Sequence, residues 1–180
     1  MLTAQQQLFV QALEEQDLAQ VQRLLADGLN PNFIDFEKGP AVSVWSDGLF
    51  KWWEMVCEAY EAGQPLTAEQ KTQQLDVHMQ ILEALIQAKA NVHLWDAEEI
   101  YGPLWDAASA ACVPAVQRLL DEKVNPNMID SDGLTILSSI SELFFDCDFD
   151  AVNWSEALEE EKQTLELLRS HGAKMTKELA

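Results

Sequence analysis

The sequence has 180 residues, 48% of them hydrophobic, and its 31 acidic side chains against 11 basic ones give a formal net charge of −20. Such length and apolar content suit one folded domain with a sizeable core and exclude a disordered chain. A surface so dominated by one sign repels nucleic acid and anionic membranes and favours a basic protein partner.

The opening MLTAQQQLFVQA carries no Lys or Arg and no sustained apolar core, and no later run reaches the roughly eighteen apolar residues that cross a bilayer. A soluble, unexported, cytoplasmic protein is the expectation. Residues 21–35, VQRLLADGLNPNFID, place Val21, Leu24 and Leu25 on one helical face, stop the helix at Gly28 and turn the chain at Asn30-Pro31-Asn32. The segment LFKWWEMVCEAYEAGQPLTAEQKTQQLDVHMQ then predicts a lengthened helix, a break at Gly63-Gln64-Pro65 and a second helix capped by Thr67.

The same grammar returns three more times. In LEALIQAKANVHLWD, residues 82–96, Leu82, Leu85 and Ile86 fill the apolar slots, Asn91 the turn and Asp96 its close. Residues 116–130, VQRLLDEKVNPNMID, are identical to residues 21–35 at ten of fifteen positions. The fourth copy is LELLRSHGAKMT at 165–176, with Leu165, Leu168 and Gly172 in register. An internal repeat therefore organises the chain.

The string V-x-x-L-L-x-x-G-x-x-x-N, followed by Asp and a new helix, resembles the second helix and outgoing turn of an ankyrin repeat. The run GPLWDAASAACVPAVQRLL resembles that family's T-P-L-H-x-A-A opening, with Pro103, Leu104, Ala107 and Ala108 in place and Trp105 where the family prefers His. Asp132-Gly133-Leu134-Thr135-Ile136-Leu137 keeps the Asp-Gly turn and the Thr but replaces the Pro with Ile136. The resemblance covers nearly the whole chain. It implies an all-α ankyrin-repeat solenoid, a gently curved right-handed stack forming a single domain over 1–180. Its repeats run over roughly 4–35, 36–96 with an insertion, 97–130, and 131–180 with an insertion.

The stop positions Gly28, Lys89, Lys123 and Gly172 lie 61, 34 and 49 residues apart, against an ankyrin period of about 33. The excess falls around Trp52-Trp53 and in FFDCDFDAVNWSEALEEE. No hairpin of this kind buries its apolar stripe alone, so neighbours must stack and the ends must be polar. Gln5, Gln6, Gln7, Gln11, Glu14 and Glu15 supply one polar end, and Lys174, Lys177 and Glu178 the other.

Catalytic and metal chemistry finds little support. His78, His93 and His171 stand apart from one another without an HExxH or Cys-spaced partner, and His171 falls where a capping or packing role is expected. Cys57, Cys112 and Cys147 form no CxxC pair and read as reduced core or boundary residues. Asp146-Cys147-Asp148-Phe149-Asp150 begins like an EF-hand loop, but Ala151 stands where Gly is needed and Ala157 where a bidentate Glu is needed. Gly-rich phosphate loops and nucleophile elbows are absent, and the paired acids Glu98-Glu99 and Glu159-Glu160-Glu161 read as solvated. The expectation is a non-enzyme with no cofactor and no metal.

Ten acids and no Lys or Arg occur between Val124 and Glu161. The ankyrin resemblance implies that Phe33, Phe36, Trp95 and Tyr101 lie near the tips of the turn ridge, whereas Trp52, Trp53 and Trp105 fall inside helices and read as core. Aromatic anchors ringed by acids fit a binding hot spot. The expected partner-binding set is thus Phe33, Phe36, Trp95, Glu98, Glu99, Tyr101, Asp130, Asp132, Asp146, Asp148 and Asp150. The expected function is capture of a basic protein partner, with no nucleic acid or membrane bound and a monomer favoured. Its sharpest form is an immunity or antitoxin protein of a small bacterial type that covers a toxin. Self-association through the Trp52-Trp53 insertion, as a scaffolding subunit, and action as a host-directed effector are the alternatives.

Overall fold

A computed structural model of the chain describes residues 2–35, 37–94, 102–145, 150, 152–155 and 157–179. It is mostly helical. The elements run α1 (Ala4–Glu14), α2 (Leu18–Ala26), β1 (Ile34–Asp35), β2 (Gly39–Pro40), α3 (Ala41–Glu61), α4 (Ala68–Gln87), α5 (Pro103–Ser109), α6 (Val113–Asp121), α7 (Ile136–Phe145) and α8 (Glu159–Ser170), followed by a short 3₁₀ turn at Thr176–Glu178. They divide into two compact units, Met1–Asn91 and Val92–Ala180. Among the described residues no helix is long and apolar enough to cross a membrane.

In the first unit, side-chain caps start α1, α2 and α4. Thr3 Oγ1 accepts the Gln6 amide at 3.2 Å while Gln6 Oε1 accepts the Thr3 amide at 2.9 Å, and Thr67 and Gln70 repeat this box at 3.2 and 2.8 Å. Asp17 Oδ1 caps α2 by accepting the Gln20 amide at 3.0 Å. Helices α1 and α2 form one hairpin and α3 and α4 a second, with α1 against α3 and α2 against α4. Phe9, Leu13, Val21, Leu24, Trp45, Leu49, Leu82 and Leu85 fill the space between them, each burial worth about 1.5–3 kcal/mol before entropy is set against it. The Trp45 indole crosses from α3 to α4 and donates to the His78 carbonyl at 2.9 Å.

The second unit repeats the plan. Helices α5 and α6 form a hairpin that packs on the α7/α8 hairpin, α5 against α7 and α6 against α8. Its core is Leu104, Trp105, Ala107, Val116, Leu119, Ile136, Leu137, Ile140, Leu165 and Leu168.

The expected lengthening is present. Helices α3 and α4 have 21 and 20 residues where α5 and α6 have 7 and 9. The break falls at Gly63, which takes a left-handed φ of +70°, and α4 starts behind Thr67. Of the second insertion, Asp146–Phe149, Ala151 and Glu156 lie outside the described residues.

All four copies of the repeated string end in the same way. The amides of Leu29, Ala90, Val124 and Ala173 donate to the carbonyls of Leu24, Leu85, Leu119 and Leu168 at 3.0, 2.9, 3.3 and 3.0 Å. The residue before each donor takes positive φ: Gly28 +91°, Lys89 +61°, Lys123 +65° and Gly172 +86°. These are Schellman closures, in which a left-handed residue lets the chain return its amides to the last helical carbonyls. Sequence identity at the stop position is thus not required, because two of the four closures carry Lys.

Candidate functional site

The chain leaves each Schellman turn through Asn-Pro-Asn in the first and third copies. Asn30 Oδ1 holds the Asn32 amide at 2.9 Å, and Asn125 Oδ1 holds the Asn127 amide at 3.0 Å. The second asparagine of each triplet then reaches the next hairpin of its own unit. Two short fingers follow. In the first unit Ile34 and Asp35 pair antiparallel with Pro40 and Gly39, and Asp35 Oδ1 accepts the amides of Glu37 and Lys38 at 2.8 and 3.2 Å. In the second unit Ile129 bridges Thr135 across the Asp132-Gly133 turn.

The fingers sort several of the expected partner-binding residues. Phe33 is half-buried, with its ring edge-on to Phe9 at 6.1 Å and 67°, so it anchors the first finger to α1. Asp130 requires a correction: it is only 8% exposed, and its Oδ1 accepts the amides of Asp132 and Leu134 at 3.0 and 2.8 Å. Its carboxylate organises the turn and is withdrawn from any partner. Asp132 beside it is exposed. Asp150 is exposed and pairs with Lys177 at 2.9 Å, an arrangement in water that adds little stability. Phe36, Trp95, Glu98, Glu99, Tyr101, Asp146 and Asp148 lie outside the described residues.

What sequence reading did not find is a cleft of about 400 Å³ in the first unit, between the end of α1, the first finger and α3. Leu13, Val44 and Gly48 give it an apolar floor, and Glu14, Glu37 and Asp47 stand around it with Lys38 and Lys51. Lys38 pairs with Glu14. Partial burial, with the Glu14 charge adding to it, raises the Asp47 carboxyl above its usual range, and Lys51 opposes the shift. A carboxylate held short of full solvation gains when a cation approaches. The first finger also presents Ile34, which is 64% exposed. The only sequence signal was the Glu and Asp content itself, since Glu14 and Asp47 belong to different helices.

The remaining reactive side chains have structural settings. His78 is buried on α4 beneath Gly48, and burial lowers its pKa. His171 closes α8, with Nδ1 3.0 Å from the Leu167 carbonyl and 3.2 Å from Ser170 Oγ. Cys112 is buried and its thiol is pushed up to about 12, which keeps it protonated and unreactive at neutral pH. Cys57 is half-buried. Trp52 and Trp105 are buried as expected of core, while Trp53 is half-buried. Among the described residues no three His, Cys, Asp or Glu side chains gather as metal ligands would.

Compared with protein-family models and with curated proteins, the sequence matches none. The functional reading therefore rests on this chain's own residues.

Proposed function

We propose that the chain is a non-catalytic protein-binding module built from ankyrin-type repeats, and that it takes a basic partner against the cleft and finger of its first unit. The observation that carries the reading is the cleft: Leu13, Val44 and Gly48 line it together with three carboxylates and two lysines, one of them, Lys38, paired with Glu14. That combination suits a protein surface that offers a Lys or Arg beside an apolar side chain. The matching bonds made by Asn32 and Asn127 support repeats of one kind, and the net charge of −20 supports electrostatic steering toward a basic partner.

The sharpest form of the proposal is an immunity or antitoxin protein that covers the basic active site of a toxin. Titration against toxins encoded beside the gene tests it. Stoichiometric inhibition that weakens with salt is the expected result, and failure to protect cells from every such toxin removes this form while leaving the binding module to be tested on other partners.

A further inference from the structure

Helix α3 carries three parallel rows. Trp45, Leu49, Trp52 and Val56, spaced four, three and four residues apart, face the core and are at most 5% exposed. Phe50, Trp53, Cys57 and Tyr60, spaced three, four and three apart, form a second stripe beside it. Phe50 is 41% and Tyr60 55% exposed, whereas Trp53 and Cys57 are half-buried. The third row is acidic: Glu54, Glu58 and Glu61, all exposed. After Lys51 no base occurs in α3. A surface helix ordinarily keeps large aromatics out of water, and two of them at this spacing with acids alongside is the pattern into which another amphipathic helix docks.

We propose that this face of α3 is a second binding surface, whose occupant is a basic amphipathic helix of a partner protein. It rests on the reading of the chain as a binding module and uses the later turns of α3, whereas the cleft takes Val44, Asp47, Gly48 and Lys51 from the earlier turns of the same helix. Charge selects the occupant. A second copy of the chain would bring another −20 charge and another acidic row against the first, whereas a helix with apolar residues at three- and four-residue spacing and Lys or Arg on its flank meets both rows. Phe50 and Tyr60 supply the exposed apolar contact, and Glu54, Glu58 and Glu61 fix orientation.

The test uses the full chain and three synthetic peptides: a Leu/Lys helix with Leu at three- and four-residue spacing, the same composition shuffled, and a Leu/Glu counterpart. Calorimetric titration at about 0.15 M salt keeps diffuse attraction screened beyond about 8 Å. The expected result is binding of the Leu/Lys helix at least about tenfold tighter than either control. The substitutions Phe50→Ser and Tyr60→Ser together should weaken it at least about tenfold, while Glu14→Gln with Glu37→Gln, both off α3, changes it by less than about twofold. Both serine changes are at exposed positions, and an unchanged melting curve verifies the fold. Equal binding of the shuffled peptide, or undiminished binding by the serine variant, overturns the proposal. So does a concentration-dependent dimer in sedimentation that the serine changes abolish, because the occupant is then a second copy. A partner lost on the cleft variant but kept by the serine variant overturns the α3 surface and leaves the proposed function standing.

Discussion

Asn32 and Asn127 perform the same task in the two units. Asn32 donates through Nδ2 to the Lys89 carbonyl at 2.8 Å and accepts the Asn91 amide on Oδ1 at 2.7 Å; Asn127 donates to the Gly172 carbonyl at 3.0 Å and accepts the Lys174 amide at 2.8 Å. Each side chain therefore ties one hairpin's outgoing turn to the Schellman turn of the hairpin packed on it. The repetition of Asn-Pro-Asn has a physical cause: the first Asn shapes the turn and the second clamps the neighbour.

Replacing either clamp should be felt. Asn32→Ala and Asn127→Ala each remove two hydrogen bonds and leave a turn carbonyl and amide to find water, at a cost of about 1–3 kcal/mol. Asn→Asp keeps the acceptor, loses the donor and should cost less than Ala at its amide but more at its carbonyl. Because the two clamps share no partner, the double alanine variant should show the sum of the single effects in urea unfolding.

The stop positions allow a reciprocal exchange. Gly28, at φ +91°, lies farther than Lys123, at +65°, from the left-handed minimum that side chains tolerate. Gly28→Lys should therefore cost about 1–2 kcal/mol, and Lys123→Gly should gain less, up to about 0.5 kcal/mol, because glycine also loosens the unfolded chain. Melting of the two single variants checks the asymmetry.

How much of this was legible follows the range of each interaction. The Thr67 cap, the Gly63 break and the apolar triads are local, and their sequence signals placed α3 and α4 correctly. Asn32 was readable as a turn residue, yet its clamp on Lys89 and Asn91 depends on how two hairpins dock. Asp130 looked like surface charge because its burial comes from the Asp132-Gly133 turn folding back over it. The cleft escaped notice for the same reason: Glu14, Glu37 and Asp47 meet only when α1, the finger and α3 are assembled.

Gly48 records a close approach between helices. A Cβ there would stand 2.8 Å from His78 Cε1, so Gly48→Ala forces the imidazole or the α3/α4 packing to move, at about 1–3 kcal/mol. Trimming the ring with His78→Ala should reduce the effect of Gly48→Ala. A double-mutant cycle with no coupling between the two positions would contradict the contact.

Protonation of His78 is opposed by its burial, which lowers the folded-state pKa below that of a free imidazole. The unfolded chain therefore binds the proton more readily. The contribution of neutral His78 is fully present above about pH 6.5, the unfolded value, and is lost as pH falls from there through the lowered folded pKa. Compared with His78→Gln, the wild type should lose more stability between pH 7.5 and about pH 5. Parallel pH profiles of the two proteins would contradict burial of the neutral ring.

Charge-led capture at the first-unit cleft is the central claim, and a tagged pull-down from the native cell tests it most directly. The wild type and the variant Glu37→Lys/Asp47→Lys are compared at low salt and at about 0.5 M, where screening acts over a few ångströms, with bound proteins identified by mass. The account predicts a basic protein that binds the wild type at low salt, thins at high salt and is missing from the charge-reversed variant. Equal recovery of that protein by both, at both salts, would contradict it.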